Sequence, residues 1–346
     1  DNDELVTAFN ARARLCNARD AEAIAAGQVV ARVESSAEFI AKASGIRSRH
    51  VVARDGLLDP QRLVARLRER SDDELSLQAE MAVHAGREAL AQAGRVAADV
   101  DAVIVATSAL QRAYPAVAIE VQAALGCSGF AYDMNVACSS ATFALQNACD
   151  AIRAGTARRV LVICPEIPSG YLAWDDRDCH FIFGDVAVAM LVEAADEATA
   201  PVRYEVLGTR LQTRFSNAIR NNFGFLNRCE DTPADARDKL FRQDGRKVFK
   251  EVCVMVAEQI QDHVAAAGLR ADDLDRLWLH QANINMNDYI SRRVLGAEFR
   301  REQAPVILDE FANTAAAGSI VAFHYHRDDL APGATGVICS FGAGYS

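Results

Sequence analysis

AYDMNVACSSATFALQNACDAIRAGTARRVLVICPE, residues 131–166, reads as strand, helix, strand. Ala131 to Val136 has the pattern of a short strand, and Ser139 to Gly155 that of a helix rich in small residues, with Phe143, Leu145 and Ile152 as its apolar positions. ARRVLVICPE (157–166) is a continuous apolar run, the kind a parallel sheet buries on both faces. Cys138 falls where the first strand gives way to the helix. A thiol there feels the positive end of the helix macrodipole, so the expectation is a lowered pKa and a raised thiolate fraction. Ser139, Ser140 and Ala141 leave room for other segments to approach. The competing reading is a small buried hydrophobe, the usual role of a free Cys.

The same rhythm extends in both directions. Upstream, the first seventy or so residues are polar and helix-prone. Glu74 to Gly94 carries Leu77, Met81 and Leu90 at helical spacing, DAVIVATS (101–108) is a buried-strand run, and Ala116 to Leu125 is helical up to Gly126. Downstream, DVAVAMLVE (185–193) is another strand, and AADEATAP (194–201) breaks the composition. The pattern then restarts. YEVLGTRLQT (204–213) is strand-like, residues 214–245 are irregular, and Lys247 to Ala267 is a clear helix. DRLWLHQAN (275–283) is a strand ending on polar residues; Asn285 to Leu295 and Ala315 to His326 are helices; ATGVICSFGAG (334–344) is a last strand running into glycines. Strands alternating with helices predict a largely parallel α/β architecture. VIVATS follows one long helix and LWLHQAN another, a weak internal repeat.

The bulk properties narrow the function classes. With 346 residues, 51% of them hydrophobic, the chain can build two sizeable cores. A net charge of -10, mixed in sign along the chain, suits neither a nucleic-acid partner nor an acidic tail. The nine Cys show no C-x-x-C pair and no Cys/His ligand spacing, so neither a zinc site nor a disulfide framework is expected. Free thiols suit a reducing cytoplasm. No apolar run approaches the ~20 residues that span a bilayer, so no membrane partner is expected; VAVAMLV (186–192) is strand-sized. No signal peptide is visible, but the chain starts at Asp1 and not at Met, which leaves a removed segment open.

Three further segments carry candidate chemistry. HQAN (280–283) puts His280 at the end of an apolar strand, where parallel folds place their ligands. FANTAAAGS (311–319) offers Asn313, whose plain alternative is a helix N-cap. FGAG (341–344) can bring backbone N–H groups close to a ligand. Cys149, Cys164, Cys253 and Cys339 read as core residues, and the neighbours Cys179 and His180 as a coincidence of sequence. His50, His84, His263, His324 and His326 default to surface or structural roles.

In this order, ACSS, HQAN, ANTAAAGS and SFGAG resemble the type III β-ketoacyl-ACP synthases, as do SGIRSRH (44–50), Tyr114-Pro115 and IFGD (182–185). The resemblance runs from about residue 36 to the end. It implies a thiolase-like fold, two similar halves packed as α-β-α-β-α layers, here residues 1–195 with the nucleophilic Cys and 196–346 with the His and Asn. It implies a homodimer, acyl-CoA and malonyl-ACP as substrates, and no cofactor beyond those thioesters. The family's catalytic triad falls on Cys138, His280 and Asn313, and its oxyanion hole on the backbone N–H groups of Cys138 and Ala343. Arg177, Phe39, Lys42 and Asn283 fall at or beside CoA-binding positions, and Tyr114 and Phe341 at the acyl pocket, with Tyr114 expected to cross into the partner protomer. There are departures. Phe39 replaces a usual Trp, Ala43 a usual Arg, and Asn285 a usual Arg linked to carrier-protein docking, for which Arg292, Arg293, Lys247 and Lys250 are alternative cations. A long segment before SGIRSRH and the loop RNNFGFLNR (220–228) point to a subgroup using medium or longer primers. Lack of the family's first and last strands reads as trimming of the chain. Three other readings compete: an acyltransferase or non-decarboxylating condensing enzyme on the same fold, a thiol hydrolase, and a non-catalytic partner subunit, against which the presence of Cys138 argues.

Overall fold

A computed structural model describes residues 1–221 and 240–346. Ten α-helices and eight strands are described: α1 (Asn2–Arg19), α2 (Ala21–Ala25), α3 (Ala37–Ser44), α4 (Leu77–Ala93), β1 (Ala102–Ala106), α5 (Val117–Leu125), β2 (Phe130–Met134), α6 (Ser140–Arg153), β3 (Arg159–Glu166), β4 (Val186–Glu193), β5 (Ile219–Arg220), β6 (Arg242–Gln243), α7 (Gly245–Ala266), β7 (Arg276–Leu279), α8 (Ile284–Leu295), α9 (Leu308–Phe311), α10 (Gly318–Tyr325) and β8 (Gly336–Cys339). The first sheet runs β2-β1-β3-β4, parallel except for β4. β7 and β8 form a second, parallel pair, and β5 and β6 a short antiparallel one.

Alternation along the strands sets the layers, because successive side chains in a strand face opposite ways. On β1 and β3, Val103, Val105, Leu161 and Ile163 face α4 and α5. Ile104, Val160, Val162 and Cys164 face the small-residue stripe Ala141, Ala144 and Ala148 of α6. That second core also takes in Ile320 and Val321 of α10 and Trp278 of β7, so α6 and α10 lie between the two sheets. The other face of β7, Leu277 and Leu279, packs on Val252, Val256 and Ile260 of α7 and on Met286 and Ile290 of α8. The result is α-β-α-β-α. Alanines dominate the middle layer because helices held between two sheets must be narrow. A separate core joins α1 and α3 to residues 172–183.

The internal repeat is sharper in three dimensions than in sequence. GRVAADVDAVIVA (94–106) and GLRADDLDRLWLH (268–280) trace the same path: a left-handed glycine after a long helix, a 3-10 turn (97–99 and 271–273), then a strand. In each, a turn aspartate accepts from the backbone three residues earlier, Val96 N to Asp99 at 3.1 Å and Arg270 N to Asp273 at 2.8 Å. A second aspartate ties the neighbouring strand: Asp101 accepts from Arg159 N at 2.9 Å and Asp275 from Thr335 N at 2.8 Å.

One expected strand is absent. Residues 203–217 take no regular structure and pair with no strand among the described residues, and the apolar side chains Val202, Leu207 and Phe215 stand exposed. Strand-like composition favours extended backbone, but a ladder also requires a neighbour to supply hydrogen bonds. Most of RNNFGFLNR lies outside the described residues. Among the described residues, no helix is long and apolar enough to cross a membrane.

Candidate active site

The strand ends of both halves open into one cavity of about 760 Å³, and Cys138, His280 and Asn313 all line it. Each arrives on a differently constrained segment. Cys138 follows Ala137, whose φ is 47°, a left-handed conformation that non-glycine residues rarely adopt. The bend is held by Ser140, whose hydroxyl accepts from Val136 N at 2.8 Å and donates to Ala137 O at 2.7 Å. From the far end of the chain, Gly342 presses against it. A Cβ added at Gly342 would stand 2.7 Å from Cys138 N and 3.0 Å from Cys138 Cβ, so only glycine fits without displacement.

Asn313 occupies the matching place in the second half. It too follows a left-handed alanine, Ala312 with φ 59°. Its backbone is tied to residues 182–184, with Asn313 N donating to Ile182 O and Gly184 N to Asn313 O, both at 3.0 Å. The plain N-cap reading holds for only one atom of the side chain. Oδ1 accepts from Ala315 N at 2.9 Å, leaving the amide NH2 as an uncommitted donor on a residue of the cavity wall.

His280 extends the β7 ladder, its N–H donating to Cys339 O at 2.7 Å. Its ring stands edge-on to Phe341, 5.0 Å between centroids. Nδ1 is buried with no partner, so Nε2 is the nitrogen left to serve the cavity. Burial pulls its pKa down to about 4, so the imidazole is neutral at neutral pH.

The thiol departs from the expectation. Burial, aided by the nearby Glu166 carboxylate, pushes Cys138 up to about 12. The backbone N–H groups of Ala343 and of Cys138 itself hydrogen-bond the sulfur and oppose that rise. Burial therefore outweighs the two backbone N–H groups, and Cys138 rests as a neutral thiol.

The remaining expected residues divide. Asn283 lines the cavity and caps α8, its Oδ1 accepting from Met286 N at 3.0 Å. Phe341 and Ala343 line it as well. Arg177 and Phe39 are not in the wall. They hold each other, the guanidinium 4.1 Å above the ring, and Phe39 meets Phe181 of the wall edge-on. Lys42 is exposed and outside the wall, which its neighbours Ala43 and Ser44 join. Tyr114 is 84% exposed and does not line this chain's cavity. Of the alternative cations, Lys250 lines the cavity; Lys247, Arg292 and Arg293 do not. Arg220 and Arg246, not anticipated, join Lys250 there. His180 stacks on Phe9 of α1, 4.2 Å between ring centroids, and is not in the cavity wall. The reading also missed Ser108 and Tyr171, half-buried in the cavity wall, and the fully buried Glu166 bonded to Ser108; a charge ending an otherwise apolar strand was the available signal for Glu166.

The family model for 3-oxoacyl-[acyl-carrier-protein] synthase III matches residues 132–213, and its C-terminal counterpart matches residues 264–346. A β-ketodecanoyl-[acyl-carrier-protein] synthase of Pseudomonas aeruginosa is 58% identical over 338 residues, 98% of this chain and 97% of that protein. A β-ketoacyl-[acyl-carrier-protein] synthase III of Mesorhizobium japonicum is 35% identical, covering 82% of this chain and 80% of its own length. Among solved structures, a 3-oxoacyl-[acyl-carrier-protein] synthase III from Aquifex aeolicus superposes with a TM-score of 0.68 at 25% identity, covering 90% of this chain and 89% of that one. One from Pseudomonas aeruginosa gives 0.67 at 26%, covering 90% and 87%.

Proposed function

Since the chain belongs to the 3-oxoacyl-[acyl-carrier-protein] synthase III family, a family of condensing acyltransferases, we propose that it joins an acyl-CoA primer to malonyl-ACP, with Cys138, His280 and Asn313 as its catalytic groups. In the first stage the Cys138 sulfur attacks the primer's thioester carbonyl. The C–S bond to CoA breaks, and the thiol proton leaves with the CoA sulfur. The N–H groups of Cys138 and Ala343 hold the carbonyl oxygen as it becomes an oxyanion, worth roughly 3–4 kcal/mol per donor in comparable acyl-transfer sites. In the second stage malonyl-ACP loses CO2. His280, neutral and donating through Nε2, and the Asn313 amide stabilise the enolate oxygen of its thioester. The enolate carbon attacks the acyl-Cys138 carbonyl and forms the new C–C bond. The Cys138–acyl bond breaks, 3-oxoacyl-ACP leaves, and the thiolate takes a proton from solvent.

The observation that carries the reading is the meeting of one thiol, one neutral imidazole and one free carboxamide in a single cavity, with two backbone donors at the sulfur. The condensation needs no metal or redox group. The likeness to a β-ketodecanoyl synthase supports an eight-carbon primer, since malonyl adds two of the ten carbons. Arg220, Arg246 and Lys250 at the cavity wall are suited to the phosphates of CoA or of the carrier protein's prosthetic arm, a local basic patch on an acidic chain. We take the division at 195/196, the homodimer and a cytoplasmic setting as parts of the same reading.

The test is exposure of the protein to mixed acyl-CoAs, followed by mass spectrometry, with CO2 release from malonyl-ACP measured in parallel. An octanoyl adduct on Cys138, lost in Cys138→Ala, is expected. His280→Ala and Asn313→Ala should still acylate but release CO2 poorly. Acyl transfer with no CO2 would favour a plain acyltransferase, and an acetyl preference would overturn the primer length.

A further inference from the structure

Of the buried acids that the catalytic reading leaves without a role, Glu166 stands beside the cavity. Glu166 ends β3 and is fully buried, and it forms no ion pair among the described residues. Instead its carboxylate gathers hydrogen bonds from two loops. Oε1 accepts from Ser108 N at 2.7 Å and from Ala316 N at 3.3 Å. Oε2 accepts from Ser108 Oγ at 2.5 Å, and that hydroxyl also meets the Tyr171 hydroxyl at 2.8 Å. Ser108 and Tyr171 line the cavity; Ala316 lies three residues past Asn313.

The turn that Glu166 grips is a strained one. Ala312 and Ala315 both have positive φ, 59° and 49°, and such positions persist only where the surroundings enforce them. Two acceptors do so here. Asn313 Oδ1 takes the N–H of Ala315, and Glu166 takes the next N–H, that of Ala316. Releasing Glu166 frees the second of these and lets the turn relax toward ordinary backbone. Relaxation would rotate the Asn313 amide away from the cavity. A carboxyl held in a site without a cation, its pKa raised to about 7 by burial, is costly to keep, which argues against a filler role.

We propose that Glu166 is a positioning residue for the decarboxylation step, clamping the Asn313 turn to the Ser108 loop so that the Asn313 amide stays aimed at the substrate's thioester oxygen. The proposal rests on the condensing reading above and adds to it a group that never touches substrate.

The test separates the two half-reactions in the intact enzyme. Single-turnover acylation of Cys138 is followed by mass spectrometry, and CO2 release from malonyl-ACP is followed at varied substrate, in Glu166→Gln, Glu166→Ala, Asn313→Ala and the double variant Glu166→Ala/Asn313→Ala. Acylation is expected within about threefold of wild type, while kcat for CO2 release falls about tenfold or more with KM little changed, since a small misplacement of a catalytic group acts on rate. Glu166→Gln keeps one oxygen acceptor and should lose less than Glu166→Ala. The double variant should be no worse than Asn313→Ala alone, because both changes act through one amide. Parallel loss of both half-reactions, additive losses in the double variant, or unchanged CO2 release would each overturn the clamp. If Glu166→Ala does not fold, Glu166→Gln and Ser108→Ala, which removes the bond to Oε2, carry the same comparison. A wild-type enzyme that acylates but releases no CO2 would overturn the condensing reading itself; one that does both while the variants fail these criteria overturns only the clamp.

Discussion

At the scale of single residues, burial overrides local electrostatics in this site. The place of Cys138 between strand and helix marked it as a candidate nucleophile, but its protonation state was not legible. A sequence shows that a helix begins; it does not show that Gly342, from the far end of the chain, packs against Cys138 and that burial raises the thiol's pKa. Glu166 obeys the same physics. Burial pushes its carboxyl from 4.5 up to about 7, so the folded protein binds this proton more tightly than the unfolded chain. The stabilisation is fully present below 4.5 and is lost as pH rises through 7, on the order of 3 kcal/mol across that window. A Gln at 166 has no proton to lose. The melting temperature of Glu166→Gln relative to wild type should therefore climb between pH 5 and pH 8, as measured by calorimetry in matched buffers. His180 and His280, both buried and pulled down to about 4, work the other way in that range. They are present in both proteins and cancel in the difference. A difference that stays flat with pH would mean that Glu166 holds no proton near neutrality.

Elements were read well where their pattern was self-sufficient and poorly where it needed a neighbour. β1 and β3 are built on short apolar runs, Ala102–Ala106 and 160–164, of the kind a strand buried on both faces carries, and both were found within a residue or two. α4 and α7 were equally plain from their spacing. YEVLGTRLQT has a strand's composition but no partner among the described residues, and composition cannot supply one. The polar residues closing each element were the ambiguous ones, because capping and binding call on the same side chains. Asn283 does the first and is proposed for the second. Its Oδ1 caps α8 through Met286 N, while its amide nitrogen is left for a ligand at the cavity wall. The two roles separate on substitution. Asn283→Ala should lower stability by about 1 kcal/mol, the usual worth of a cap, and raise KM for the acyl-CoA. Asn283→Asp keeps the capping oxygen and should restore the stability while leaving KM raised. Denaturant titration together with initial-rate kinetics would show it. If Asn283→Asp recovered both, the amide would have no part in binding.

For the whole molecule, what no spacing could reveal was convergence. Cys138, His280 and Asn313 are far apart in the chain, and their meeting was legible only through resemblance to a family; the repeat of residues 94–106 at 268–280 gives the physical reason. Two halves with the same turn, strand and aspartate tie set their strand ends side by side, so Cys138 and Asn313, each behind a left-handed alanine, face one cavity. The same architecture leaves an edge. Among the described residues β2 pairs only with β1, so its far side offers unpaired backbone groups, an arrangement that proteins seldom leave bare. The flank is apolar as well: Phe130 on β2 is 40% exposed and stacks on Tyr132, and Ile119 of α5 and Tyr114 just before it are more exposed still. A second copy of the chain is the proposed cover. Antiparallel pairing of β2 with its counterpart would satisfy both edges at once and carry each Tyr114 toward the other protomer. Phe130→Lys places a charge on that edge and should halve the mass measured by light scattering, with condensation falling alongside if the partner's Tyr114 completes the acyl pocket. A variant of halved mass with full activity would keep the interface and remove Tyr114 from the site. A wild type already monomeric at working concentration would remove both, and the exposed edge would then need some other partner.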